Sequence, residues 1–164
     1  MAEIRIAPAH EIIIARTEEE KEQCFKLRIE VYIHEQQFPL EVEFDELSCW
    51  QHPMKPLSLI KVGFCRMESS ATHLLLRLTP SLTPIGTIRG YLSTDKTYYK
   101  LSRLVVLKEY RQFKFGRELV LALHDWALKD AKESGTDQEY IQVVCHSQVP
   151  VKGFYSKCAL KIII

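Results

Sequence analysis

The segment from residue 98 to residue 132 constrains the fold most, because an apolar strand pattern leads into a long amphipathic helix pattern. Tyr98–Leu107 is too continuously apolar for a half-exposed strand, which predicts burial on both faces of a sheet. Gly116–Lys132 then carries one apolar stripe at helical spacing, with charged residues on the opposite face. The stripe consists of Leu119, Val120, Leu123, Trp126 and Ala127.

A capping signal marks the start of an N-terminal helix. Thr17 followed three residues later by Glu20 is typical of a capping box, and the helix is expected to end before Pro39. The residues that recur at helical spacing and predict its buried face are Phe25, Ile29 and Tyr32 or Ile33.

The remaining chain alternates strand and helix patterns. Strands are predicted at Glu11–Arg16, Thr72–Leu78, Ile85–Leu92, Tyr140–Cys145 and Leu160–Ile164, with a short helix at Val151–Cys158. Gly135 is expected to end the long helix. This order predicts an α/β fold with a central mixed β-sheet flanked by helices.

Composition excludes several classes of protein. The 164 residues, 46% of them hydrophobic, suit one globular domain, and 22 basic against 21 acidic residues give no general attraction to nucleic acid or to an anionic membrane. No apolar run approaches the roughly 20 residues that span a bilayer. Five scattered cysteines predict reduced thiols in a cytoplasmic protein. The spacing of Cys49, His52, Cys65 and His73 is too loose for zinc, so no metal is predicted.

The segment Ser48–Met67 differs from its surroundings, because it contains no Asp or Glu and is rich in Cys, Trp and Met. One interpretation is an insertion or an artefact of a wrong gene model. The other is a real surface excursion with its own short helix. The sequence leaves both open.

A basic loop joins the apolar strand to the long helix. The first turn of a helix directs free backbone N–H groups and positive potential toward one point. Arg111, Lys114 and Arg117 add side-chain charge there. The junction therefore suits a phosphate or pyrophosphate ligand, and the alternative is a solvated basic loop.

This junction resembles the acyl-CoA motif of the GNAT (GCN5-related N-acetyltransferase) family, Arg/Gln-x-x-Gly-x-Gly/Ala after an apolar strand. Arg111 matches the first position and Gly116 the last, whereas Lys114 stands where glycine is usual. A Cβ at that position hinders close approach to a pyrophosphate, and the Lys114 ammonium compensates in part. The resemblance implies that acetyl-CoA is bound by Leu104, Val105, Val106, Arg111, Gln112, Phe113, Lys114, Phe115, Gly116 and Arg117.

A second match lies at Gly153–Cys158, which resembles the family's Phe-Tyr-x-x-x-Gly-Phe helix. The resemblance implies that Tyr155 protonates the departing CoA thiolate. Ala159 stands where the family has glycine. Taken without the other motifs, Phe154 and Tyr155 are equally an ordinary core aromatic pair.

A third match is N-terminal and resembles the ElaA/YjcF-like branch, whose pattern is Arg-x-x-Val-Phe-x-x-Glu-Gln. The matching residues are Arg28, Val31, Tyr32, Glu35 and Gln36. Glu43 and Asp45 follow and are the residues assigned to general-base catalysis, with Glu35 and His73 as further candidates, acting through water.

The resemblance implies a single GNAT domain over residues 1–164 that moves an acetyl group from acetyl-CoA to a primary amine of a small molecule. Two alternatives are an enzyme acting on glucosamine 6-phosphate and a non-catalytic CoA-binding module. The family usually has further strands after the tyrosine helix, so this chain is expected to be short at its C-terminus. A compromised product, or a strand borrowed from a second copy in a homodimer, would account for that.

Overall fold

The structure is a computed structural model that describes residues 6–40, 71–135, 141–146, 151–158 and 161–163. Of the predictions made above, those on Ser48–Met67, Glu43, Asp45 and Ala159 lie outside the described residues. All structural statements below refer to the described part of the chain.

The described strands form one six-stranded sheet in sequential order, antiparallel from β1 to β4 and parallel from β4 to β6. The mixed sheet predicted from the sequence is therefore confirmed. The strands are β1 (His10–Ile14), β2 (Thr72–Leu78), β3 (Pro84–Leu92), β4 (Tyr99–Val106), β5 (Val143–His146) and β6 (Lys161–Ile163).

Helix α1 (Glu18–Arg28) begins at the predicted capping box and continues into a π-helical segment, Ile29–Glu35. Thr17 Oγ1 accepts from the Glu20 amide at 3.2 Å, and Glu20 Oε2 accepts from the Thr17 amide at 3.0 Å. These two hydrogen bonds satisfy the backbone N–H groups of Glu20 and Thr17, which confirms the predicted capping box.

The predicted buried face of α1 is wrong by one position. The buried residues are Cys24, Leu27, Arg28 and Val31, whereas Phe25 and Ile29 are half-buried. The hydropathy pattern could not find this face, because the charged Arg28 occupies a core position and is only 2% exposed. Its guanidinium lies 5.6 Å from the centre of the Phe25 ring.

Helix α2 (Phe115–Glu133) covers the other face of the sheet. Its predicted stripe is confirmed: Leu119, Val120, Leu123 and Ala127 are fully buried, and Trp126 is partly buried against the core. Gly135 follows the helix with φ +72°, a backbone conformation that favours glycine, and donates to the Lys132 carbonyl at 3.2 Å.

Strand β4 lies between two layers of core, as its continuous apolar sequence predicts. Leu101 and Val106 pack in the cluster on the α2 side, and Val105 packs with α1 residues on the other. A 3₁₀ segment, Lys108–Phe113, then leads from β4 into α2. Helix α3 (Lys152–Ser156) lies between β5 and β6 in the chain. Because side chains pack against β4 on both faces of the sheet, the backbone of this strand is held in a fixed position.

Candidate active site

A β-bulge distorts the middle of β4. Thr87 of β3 pairs with Val105, but Arg89, only two residues further, pairs with Ser102, so β4 has one residue more than its partner. Arg103 takes up the extra length with φ +54°. Bulges of this kind re-aim backbone groups and are frequent beside active sites.

The edge of β4 beyond the bulge is open. Strand β5 pairs with β4 only at Tyr99–Leu101, so within the described residues no strand lies beside 102–106 on that side. Leu107 donates to Ile85 at 2.9 Å, and Val105, two residues earlier, pairs with Thr87. Since backbone groups alternate along a strand, Val105 turns its N–H toward β3.

Leu104 and Val106 therefore direct their N–H and C=O groups to the open edge. The contacts of their carbonyls agree, because the Tyr32 hydroxyl donates to the Leu104 carbonyl at 3.2 Å and Arg111 Nε donates to the Val106 carbonyl at 2.9 Å. The resemblance implies that Leu104, Val105 and Val106 all bind acetyl-CoA, whereas in the structure Leu104 and Val106, and not Val105, direct backbone groups to this edge.

A cavity of about 650 Å³ lies along this edge. Among the residues assigned from the sequence, those that line it are Leu104, Val106, Arg111, Lys114, Gly116 and Tyr155. Other lining residues are Tyr32, Gln36, Phe38, Arg89, Tyr91, Lys100, Leu101, Ser102, Arg103, Val151 and Phe154. The cavity thus brings the basic loop that precedes α2 and the helix α3 that carries Tyr155 to one place.

The N-terminus of α2 meets the cavity at Lys114, the N-cap residue. Lys114 is left-handed, with φ +63°, and no side-chain hydrogen bond caps this helix end. The first N–H groups of a helix lack intrahelical partners. Those of Phe115 and Gly116 are thus placed to meet an anion, and the helix dipole favours one.

Gly116 packs beneath Phe154 of α3. A Cβ at this position would lie 3.4 Å from the Phe154 ring, which is an ordinary contact. This fits the last position of the acyl-CoA motif, where the family accepts glycine or alanine. Gly116 also joins the first turn of α2 to α3 through this contact with Phe154.

Arg111 is held by an ion pair that spans 76 residues. Both terminal guanidinium nitrogens bond the Glu35 carboxylate at 2.6 Å, while Nε reaches the Val106 carbonyl. The hydrogen bonds from Arg111 lower the pKa of Glu35. A carboxylate that is held ionised is a weak proton acceptor, so Glu35 is poorly suited to act as the base.

Tyr155 lines the cavity and is half-buried. Burial raises the pKa of its hydroxyl, and the nearby Tyr32, Cys145 and Cys158 raise it further. The phenol therefore keeps its proton at neutral pH. A protonated hydroxyl beside a departing thiolate is the arrangement that general-acid catalysis requires.

Other residues assigned from the sequence lie around the cavity without lining it. Phe115 is fully buried in the core, Val105 is 3% exposed, Phe113 packs on Phe115, Gln112 bonds the Glu109 carbonyl, and Arg117 is exposed. His73 is buried in β2, opposite Arg89 of β3. Glu43 and Asp45 are outside the described residues.

The far end of the cavity is lined by residues that no sequence motif predicted. Arg89, Lys100 and Arg103 bring positive charge there, and Tyr91 lies against two of them, 5.8 Å from the Arg89 guanidinium and 6.0 Å from the Lys100 ammonium. Arg89 Nε also donates to Ser102 at 3.0 Å. Side chains alternate between the two faces of a strand, so this alternation could have placed these residues of β3 and β4 on one face, but only once the register of the two strands and the bulge were known.

Two further findings concern metals and membranes. Within the described ranges, no three His, Cys, Asp or Glu side chains come together as a metal site would require. None of the helices described is both long and apolar enough to cross a bilayer. Cys49, His52 and Cys65 lie outside those ranges.

Comparison with known proteins agrees with the motifs. The profile of the acetyltransferase (GNAT) family matches residues 30–159. The chain is 26% identical to the uncharacterised N-acetyltransferase YjcF of Bacillus subtilis over 151 residues, 92% of this chain and 85% of YjcF. The match spans Ser48–Met67, and the insertion proposed there stays a prediction.

Solved structures share the fold. A Lactobacillus plantarum protein named as an N-acetyltransferase superposes with a TM-score of 0.66 at 23% identity, covering 92% of this chain and 83% of that one. ElaA of Escherichia coli superposes with a TM-score of 0.58 at 16% identity, covering 90% and 83%. Because the family profile matches most of its length, the chain belongs to the GNAT family of acetyltransferases.

Proposed function

We propose that the chain transfers an acetyl group from acetyl-CoA directly to a primary amine of a small molecule. The observation that carries the proposal is the edge of β4 at Leu104 and Val106, whose carbonyls accept from Tyr32 and Arg111 and whose N–H groups face a cavity that Tyr155 also lines. A pantetheine arm can lie along such an edge like an added strand.

The N-terminus of α2 supports phosphate binding at one end of this cavity. The N–H groups of Phe115 and Gly116 and the Lys114 ammonium offer positive potential there. Arg111 adds a guanidinium that is shared with Glu35. Together they would hold the pyrophosphate while the thioester lies further along β4.

The reaction needs two groups at the thioester. An N–H of Leu104 or Val106 would donate to the thioester oxygen as it becomes negative. Tyr155 would give its proton to the sulfur as the carbon–sulfur bond breaks, while the amine nitrogen forms the new bond to the carbonyl carbon. The products are the N-acetylated amine and the free thiol of CoA.

The amine must also lose its protons, because it is protonated at neutral pH. Glu43 and Asp45 remain the proposed bases, acting through water. Glu35 is a weaker candidate because its ion pair with Arg111 lowers its pKa. Each carboxylate can be tested by replacement with the corresponding amide.

The acceptor can be identified by a screen of amines, and this screen should include amines that carry an anionic group. The observation in its favour is the positive charge of Arg89, Lys100 and Arg103 along the far end of the cavity. An amino-sugar phosphate such as glucosamine 6-phosphate meets this description. The screen would therefore include glucosamine 6-phosphate, amino acids, polyamines and a peptide with a free N-terminus.

The test of the mechanism is Tyr155→Phe. We expect kcat for thiol release to fall about 100-fold or more, which is the usual contribution of a general acid, while the Kd for acetyl-CoA changes less than about twofold. Tyr110→Phe is the matched control, because Tyr110 packs on the core away from the cavity lining and should leave both constants unchanged.

Three results would contradict parts of this proposal. Equal turnover in Tyr155→Phe would remove that residue from the mechanism. A wild-type chain that binds acetyl-CoA but releases no thiol with any amine of the screen would instead be a non-catalytic CoA-binding module. A folded chain that does not bind acetyl-CoA would exclude both functions.

A further inference from the structure

Tyr32 lines the cavity, and none of the motifs assigns it a role. It lies in the π-helical segment after α1, and its hydroxyl donates to the Leu104 carbonyl at 3.2 Å, directly after the bulge of β4. Tyr155 lines the same cavity. The hydroxyl of Tyr32 is thus fixed beside the stretch of β4 that would hold the thioester.

The direction of this hydrogen bond determines what Tyr32 can offer. A phenol hydroxyl has one proton to donate, and the Leu104 carbonyl takes it. Toward the cavity the oxygen can therefore only accept. A primary amine that attacks the thioester has N–H groups to donate while its lone pair points at the carbonyl carbon.

We propose that Tyr32 binds the acceptor amine, its hydroxyl oxygen accepting an N–H while Leu104 holds the hydroxyl proton. This inference rests on the proposed acetyl transfer and names a residue that orients the nucleophile. The amine then approaches β4 from the side of the π-helical segment. Its lone pair faces the acyl carbon, and no proton needs to move through Tyr32.

Tyr155 and Tyr32 would then have different roles in the reaction. Tyr155 keeps its proton and gives it to the leaving sulfur, whereas Tyr32 has already committed its proton and accepts from the amine. The two hydroxyls are close enough for Tyr32 to contribute to the raised pKa of Tyr155. Opposite hydrogen-bonding roles within one cavity suit a reaction in which a nucleophile enters as a thiolate leaves.

Tyr32→Phe removes a single oxygen and keeps the ring, which packs 6.5 Å from Phe38, centre to centre. Any change in activity would then come from the hydroxyl.

The experiment measures steady-state transfer in Tyr32→Phe with the best amine of the screen, together with acetyl-CoA binding by calorimetry. We expect the KM for the amine to rise about tenfold, with the Kd for acetyl-CoA within about twofold of wild type. Tyr98→Phe, a tyrosine outside the cavity lining, is the matched control and should match wild type in both measurements.

A purely structural role for Tyr32 predicts the opposite pattern. If the hydroxyl merely steadied the Leu104 carbonyl, its loss would disturb the edge that holds the pantetheine arm, so acetyl-CoA would bind more weakly and the amine KM would hardly change. That result, or wild-type constants throughout, would overturn the inference while leaving the proposed function intact. A wild-type chain that acetylates no amine would overturn both.

Discussion

Lys114→Gly separates two consequences of having a lysine at the N-cap of α2. A residue with a Cβ pays about 1–2 kcal/mol for the left-handed conformation, and Lys114 has φ +63°. Glycine avoids this cost but loses about 0.5–1 kcal/mol more backbone entropy on folding. The variant should therefore gain up to about 1.5 kcal/mol of unfolding free energy, or about 3–6 °C in Tm for a chain of this length.

Affinity for acetyl-CoA depends on both the ammonium and the Cβ of Lys114. Lys114→Met keeps the Cβ and removes the charge, so if the ammonium contacts a phosphate at this exposed site, binding should weaken by up to about 1 kcal/mol, or about fivefold in Kd, without the gain in stability. Lys114→Gly also removes the Cβ that hinders close approach, so it should bind acetyl-CoA more tightly than Lys114→Met. Urea unfolding and calorimetric titration measure the two quantities.

A matched control lies in the turn before β4. Lys96 is also left-handed, with φ +56°, and does not line the cavity, so Lys96→Gly should gain similar stability with unchanged affinity. Lower stability of Lys114→Gly than of wild type would refute the strain argument. Wild-type affinity in Lys114→Met would refute the argument that the ammonium compensates for the Cβ.

Two further predictions concern ion pairs. Glu35→Gln should strengthen acetyl-CoA binding about two- to fivefold in calorimetry, because Arg111 no longer shares its guanidinium with a carboxylate; weaker binding would mean that Glu35 instead holds Arg111 in its productive position. His10 lies 2.8 Å from Glu118, and although burial lowers its pKa, the hydrogen bonds to Pro8 and Glu118 outweigh this and raise it above 6.5. The His10–Glu118 ion pair should stabilise the fold by up to about 1 kcal/mol, fully below pH 6.5, and this stabilisation should be lost as the pH rises through the folded-state pKa of His10. The difference in unfolding free energy between wild type and His10→Gln should therefore shrink between pH 6 and pH 8, and a difference that grows would contradict this.

Local patterns predicted the elements of this fold well. The Thr17–Glu20 capping box, the apolar stripe of α2 and the doubly buried β4 depend on residues that are near one another in sequence. The buried face of α1 was misplaced because Arg28 is a charged core residue, which hydropathy counts as exposed. Spacing alone also could not separate a π-helical segment from α-helix over Ile29–Glu35.

The site was harder to predict because its decisive contacts join distant parts of the chain. The bulge at Arg103 exists only in the register between β3 and β4. The Arg111–Glu35 pair spans 76 residues, and the Tyr32–Leu104 hydrogen bond spans 72. The motifs pointed to Arg111, Gly116 and Tyr155, which line the cavity, but they could not predict that a carboxylate pairs with the Arg111 guanidinium or that Tyr32 and Tyr91 line the same cavity.

The central claim is that the open edge of β4 and the N-terminus of α2 bind acetyl-CoA. The most direct test is calorimetric titration of the folded 164-residue chain with acetyl-CoA, beside Arg111→Glu. The account predicts micromolar binding by wild type and binding at least fivefold weaker in the variant. Absence of binding by the folded wild-type chain, or equal affinity in Arg111→Glu, would contradict it.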